Sequence, residues 1–167
     1  MQISYTAGDN SNPSFLFARY GFLDESSPAT FCKIMIDPIT KELVDMGYEN
    51  ERMLFYTETG EISEEVWDVM LYQILGSTNK EHQQALYQAH MNSDYDTKQA
   101  LHEQYYPQTL AALKNHVDTF LNELQELSQR TIGRDLSVHP RLPLILKHNE
   151  FVRETFLKVR ENLYNMG

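Results

Sequence analysis

A mainly α fold, an elongated helical bundle behind a small N-terminal β-containing segment, is predicted by three observations. From residue 63 onward apolar side chains recur every three or four positions, the period of a helix with one buried face. Before that point, residues 30–36 and 53–57 are short β-branched or aromatic runs of strand length. The chain has 167 residues and 41% apolar composition, with no internal repeat and no low-complexity stretch. That is the length of one ordinary domain with a sizeable core.

Taken in order, Ile39 to Gly47 reads as a short helix stopped by glycine. Ser63 stands where an N-cap belongs, and Glu64 and Glu65 follow in the first turn, where the helix dipole favours negative charge. Trp67, Met70, Leu71, Ile74 and Leu75 then share one face, and Gly76 is read as the end of that helix. Asp68, with Glu64 and Glu65, is explained as helix-start charge. Residues 79–91 and 95–106 are expected to form two weaker helices rich in glutamine and histidine.

Residues 108–129 give the clearest helix. Leu110, Leu113, Val117, Phe120, Leu121, Leu124 and Leu127 step mostly by threes and fours. The stretch 131–143 carries two prolines and is read as a break. A last helix is expected over 148–165, with Val152, Phe156, Val159 and Leu163 on one stripe and Lys158 and Arg160 on the outer side.

Charge and composition exclude several functions. Fourteen basic against 24 acidic side chains give a net charge of −10, which repels phosphate backbones and favours a basic or neutral protein segment as partner. No run approaches the roughly 20 apolar residues of a membrane span. The start lacks the basic and apolar regions of a signal peptide, so an intracellular site (cytoplasm, nucleus or plastid) is expected rather than secretion. The single cysteine, Cys32, cannot form an internal disulfide or a cysteine-based zinc cluster, and its apolar flank reads as a buried strand. His82, His90, His102, His116, His139 and His148 show no HxxxH or HExxH spacing, so no metal site is expected. His82 and His90 are read as solvated surface. Tyr95, Tyr105 and Tyr106 are read as core or helix–helix packing.

The first 22 residues carry a more specific pattern. Ile3-Ser4-Tyr5 is strand-like and ends in tyrosine; Asn12-Pro13-Ser14-Phe15-Leu16-Phe17-Ala18-Arg19 then leads to Tyr20-Gly21-Phe22. This resembles the C-terminal end of a SET domain, in the branch that includes the Rubisco large-subunit and actin-histidine methyltransferases. Downstream, Glu61-Ile62-Ser63 with the Trp67–Leu75 stretch, the 108–129 helix, and Thr131 followed by Asp135 are similar in order to that branch's substrate-binding domain. Two features depart from the family pattern. Thr6 stands where glycine or aspartate is usual, and the spacing from Asn12 to Tyr20 is one residue longer than the commonest form.

The resemblance implies a SET remnant at 1–23 and a substrate-binding helical domain at 24–167. It implies Tyr5 and Tyr20 as catalytic residues within a complete SET domain, with Ile3 and Phe22 beside the substrate channel. A tyrosine hydroxyl suits methyl transfer to lysine because it can accept a hydrogen bond from the amine, while aromatic faces attract the sulfonium. The cofactor of the family is S-adenosylmethionine. Only the last SET strand is matched here, so this chain alone is expected to bind no cofactor and to be inactive. The implied role is the protein-substrate-binding region of a protein-lysine (or histidine) methyltransferase, with a monomer favoured. Two other readings stay open: a stand-alone, non-catalytic protein-interaction module, and a gene remnant.

Overall fold

In the computed structural model, residues 29–31, 40–48, 53–133, 138 and 140–167 are described, the first three by their backbone. The proposed SET remnant, its boundary at residue 23, and Ile3, Tyr5, Tyr20 and Phe22 lie outside the described residues, as does Cys32. Strand β1 (Ala29–Phe31) pairs antiparallel with β2 (Leu54–Tyr56), with Thr30 opposite Phe55. Between them lies the short helix α1 (Lys41–Asp45). The rest is α2 (Glu64–Thr78), α3 (Lys80–Met91), α4 (Tyr95–Thr131) and α5 (Leu142–Asn165), a mainly helical bundle. Helix α4 is its centre and packs on α2, α3 and α5.

Local chemistry explains each boundary. Thr40 caps α1 by accepting a hydrogen bond from the Leu43 amide at 3.4 Å. The helix ends in a Schellman turn. Gly47, at φ +76°, donates to the Val44 carbonyl, and the Tyr48 amide donates to Leu43 at 3.0 Å. That turn fixes where the Tyr48 side chain starts. Ser63 does occupy the N-cap position of α2, but its hydroxyl accepts from the Leu54 amide at 3.1 Å and makes no cap bond. The helix is thereby tied to β2.

Gly76 does not end α2. The helix runs two residues further, and a Cβ at Gly76 would come within 2.7 Å of the Gln83 amide. The glycine leaves room for the Gln83 side chain, whose Nε2 donates to the Tyr72 carbonyl at 3.1 Å. Asn79 is the single residue between α2 and α3: its amide closes one helix on Leu75, and its side-chain oxygen caps the other at His82.

The two helices expected at 95–106 and 108–129 are one helix of 37 residues, about 55 Å long at ~1.5 Å per residue. Pro107 lies inside it. Proline removes one backbone donor and costs about 3 kcal/mol in a helix interior. Leu101 and the half-buried Tyr105 lie before the proline, the buried row Thr109, Leu110, Leu113, Val117, Phe120 and Leu124 follows it, and their burial outweighs that cost. Leu127 falls off the row and is exposed. Helix α5 begins at Leu142 rather than near 148, because Pro143 sits in the first turn, where its missing N–H has no helical partner to lose. Val152, Phe156, Val159 and Leu163 are buried, and Lys158 and Arg160 are exposed, as the periodicity requires.

Helix α5 also grips the turn after β2. Residues 54–56 fold back on 61–63, with the Tyr56 amide donating to Glu61 at 2.9 Å and the Ser63 amide to Leu54 at 2.9 Å. Lys158 Nζ donates to the Thr57 carbonyl and Asn162 Nδ2 to the Thr59 carbonyl, both at 2.8 Å. Gly60 has φ +69°, and an added Cβ would lie 2.7 Å from the Lys158 backbone. Gly60→Ala is therefore expected to cost about 1–3 kcal/mol. Gly133→Ala, at φ +81° with open space around its Cβ, carries the backbone cost alone and should be the milder change. Urea unfolding of both variants checks this, and equal losses would mean that α5 does not press on the turn.

Candidate protein-docking cleft and the charge network behind it

Two neighbouring features collect the chemistry of the bundle. The first is a cleft of about 370 Å³ bounded by the turn after β2, the start of α2 and the end of α5. Tyr56 and Trp67 give it aromatic walls, and Glu61 and Glu64 bring carboxylates to it. Ile62, Leu163 and Met166 add apolar surface. The Trp67 ring stacks on Tyr106 of α4, with centroids 6.0 Å apart and planes 13° from parallel. Trp67 is the only tryptophan in the sequence.

The second feature lies one residue further along α2. Asp68 is 3% exposed and is met by three donors, two from α4 and one from the segment after α1. His102 Nε2 reaches Oδ1 at 2.6 Å, Lys98 Nζ reaches Oδ2 at 2.6 Å, and the Tyr48 hydroxyl also donates to Oδ2. The phenol has one hydrogen, which goes to the carboxylate. Its oxygen therefore accepts from His90 Nδ1 at 2.9 Å, which assigns the proton to that nitrogen. The segment after α1, together with α2, α3 and α4, is thus joined through one carboxylate.

The electrostatics follow from burial and pairing. Burial alone would push the Asp68 carboxyl up, but hydrogen bonds from His102, Lys98 and Tyr48 and the Lys98 charge outweigh it and hold it below its ordinary value. Burial pulls the Lys98 ammonium down, while Asp68 and Glu64 more than offset this and raise it. The Tyr48 phenol is pushed far up, first by burial and then by the adjacent Asp68 charge. It stays protonated and serves as a donor.

Lys98 also reaches Glu64 Oε1 at 3.1 Å, so one ammonium joins the network to the cleft. Glu64 is 80% exposed, and this second pair adds little stability.

Several expectations change here. Asp68 is a buried hub rather than helix-start charge. His90 and His82 are half-buried and bonded, His82 to the Tyr105 hydroxyl at 2.8 Å, instead of being solvated surface. Tyr105 and Tyr106 do join helices, whereas Tyr95 is 75% exposed and packs in no core. A second groove, between α4 and α5, carries Arg153 and Arg160, but these pair with Glu150 and Asp118. Among the described residues, no group of three or more His, Cys, Asp or Glu is placed to hold a metal ion. No described helix is long and apolar enough to cross a membrane.

Sequence periodicity could have flagged Asp68, which is in step with the buried Leu71, Tyr72 and Leu75. Nothing local in the sequence pairs it with Tyr48 or His102, 20 and 34 positions away. No family model matches the chain, and no curated protein or solved structure matches it either.

Proposed function

We propose that the helical bundle is a protein-docking domain that holds a segment of a partner protein in the cleft between the β2 turn, α2 and α5. The observation that carries this reading is the cleft itself: aromatic and apolar walls beside two carboxylates, on a chain of net charge −10. Aromatic anchors in a concave site supply most of the energy of protein recognition, and charge complementarity selects the partner.

The resemblance of the first 22 residues to a SET domain supplies the larger setting. On that reading the docked protein is the substrate of a lysine (or histidine) methyltransferase that uses S-adenosylmethionine. Tyr5 and Tyr20 serve as its catalytic tyrosines and Ile3 and Phe22 border the channel, all within a complete SET domain. The 167-residue chain alone then binds its partner but not the cofactor. The same cleft would serve a stand-alone interaction module equally well, since its lining runs from Tyr56 to Met166, outside the SET-like first 22 residues.

Display selection of 12-residue peptides on the folded chain, counter-selected on Trp67→Phe, tests docking. Peptides that lose at least fivefold in affinity on the variant are expected. A selection that yields no binder sensitive to Trp67 would remove the cleft as the docking site. Calorimetric titration of S-adenosylmethionine into the chain should give no heat of binding, and saturable binding would overturn the division of labour proposed.

A further inference from the structure

We infer, resting on the docking reading above, that the cleft takes the side chain of a lysine, with its primary ammonium between Glu61 and Glu64. Lys98 is the one ammonium on both Asp68 and Glu64, and the buried Asp68 holds it at the shorter distance, 2.6 Å against 3.1 Å. One positive charge thus faces two negative ones, and Glu61 adds a third. Lys158, on the neighbouring face of α5, is committed to the carbonyls of Thr57 and Glu58 and does not border the cleft. The cleft is left with negative charge to spare, which attracts a cation.

The wiring of the two carboxylates then selects among cations. Glu64 Oε1 is taken by Lys98, and Glu61 Oε2 accepts from the Thr59 hydroxyl at 3.2 Å. A guanidinium fork binds best across both oxygens of one carboxylate. In each glutamate one oxygen already carries a donor, so a fork across both would have to share it.

A primary ammonium needs no such fork. Its three donors rotate freely and can take one oxygen from each glutamate. Its four-carbon stem suits the apolar surface of Ile62, Leu163 and Met166, and Tyr56 and Trp67 present aromatic rings, whose faces attract ammonium ions. Lys98 on Glu64 already shows an ammonium bound to one of these carboxylates.

Glycine–serine heptapeptides with a single central lysine, arginine or Nε-acetyl-lysine test this, titrated while Trp67 fluorescence is followed. The lysine peptide is expected to bind at least fivefold more tightly than the acetylated one and more tightly than the arginine one. Glu61→Gln should lower its affinity at least threefold, and the exposed Glu154→Gln, away from the cleft, should not change it. Equal binding of lysine and acetyl-lysine peptides, or tighter binding of arginine, would overturn the lysine assignment while leaving docking intact. Absence of any response to all three, together with no Trp67-sensitive peptide from the selection, would overturn both.

Discussion

Phe156→Ala is expected to destabilise the chain by about 3–5 kcal/mol, the range for deleting a fully buried aromatic ring. Phe156 is 0% exposed. Its ring centroid lies 4.5 Å from that of Phe55 on β2 and 4.5 Å from that of Phe120 on α4, both tilted at close to 60°. The ring therefore joins three elements, and the space it leaves cannot close without moving one of them. Against a typical total of roughly 5–15 kcal/mol, such a loss is a large share. Denaturant unfolding should show a lowered midpoint with an unchanged slope. A loss below about 1 kcal/mol would mean that α5 is not docked on the β2 turn. The effect reaches the cleft as well, because Leu163 and Met166 line it from the same helix and Asn162 pins the turn. In the surviving folded fraction, Trp67 emission should shift with the wall it faces.

The parts of this fold set by local rules were legible in the sequence, and those set by long-range convergence were not. The stripe of Leu110, Leu113, Val117, Phe120 and Leu124 is a local pattern, and it is buried as its spacing requires. The turn at Gly47 is equally local. The gap between the expected helices at 95–106 and 108–129 and the stop at Gly76 were wrong because the usual effect of proline or glycine is a propensity of about 1–3 kcal/mol, which burial on either side can override. Pro143 misled in the opposite sense: a proline that ends one helix can begin another. The cleft was partly legible, since Glu61, Glu64 and Trp67 are close in sequence. Its closure by Leu163 and Met166 depends on how α5 returns across the bundle, which no local pattern encodes. The network around Asp68 is of the same kind, because its four other members come from three separate segments.

That network yields the other large effect: Asp68→Ala should cost about 3–5 kcal/mol, as expected when one partner of a buried ion pair is removed. The variant leaves the Lys98 ammonium, 13% exposed, without its main partner, and strands the Tyr48 hydroxyl and the His102 N–H. A pairwise test separates charge from packing. In Asp68→Leu with Lys98→Met the charges leave together; Tyr48 keeps His90, and the half-exposed His102 can meet water. The double variant is therefore expected to lose less than the sum of the two single variants, by about 1–3 kcal/mol of coupling. Additive losses would show that Asp68 and Lys98 act independently.

The pH profile gives an independent readout. Asp68 is held below its ordinary value of 3.8, so its contribution is present above that pH and is lost as pH falls through the folded value. Lys98 is held above its ordinary 10.5, so its contribution is present below that pH and lost as pH rises through the folded value. Between these limits the network is at full strength. Asp68→Ala should flatten the acid limb of the stability profile, and it should flatten the alkaline limb too, because Lys98 no longer gains from the carboxylate. A variant that lost stability equally at every pH from 3 to 11 would place Asp68 in the core as a packing residue and remove the electrostatic link between the cleft and the bundle.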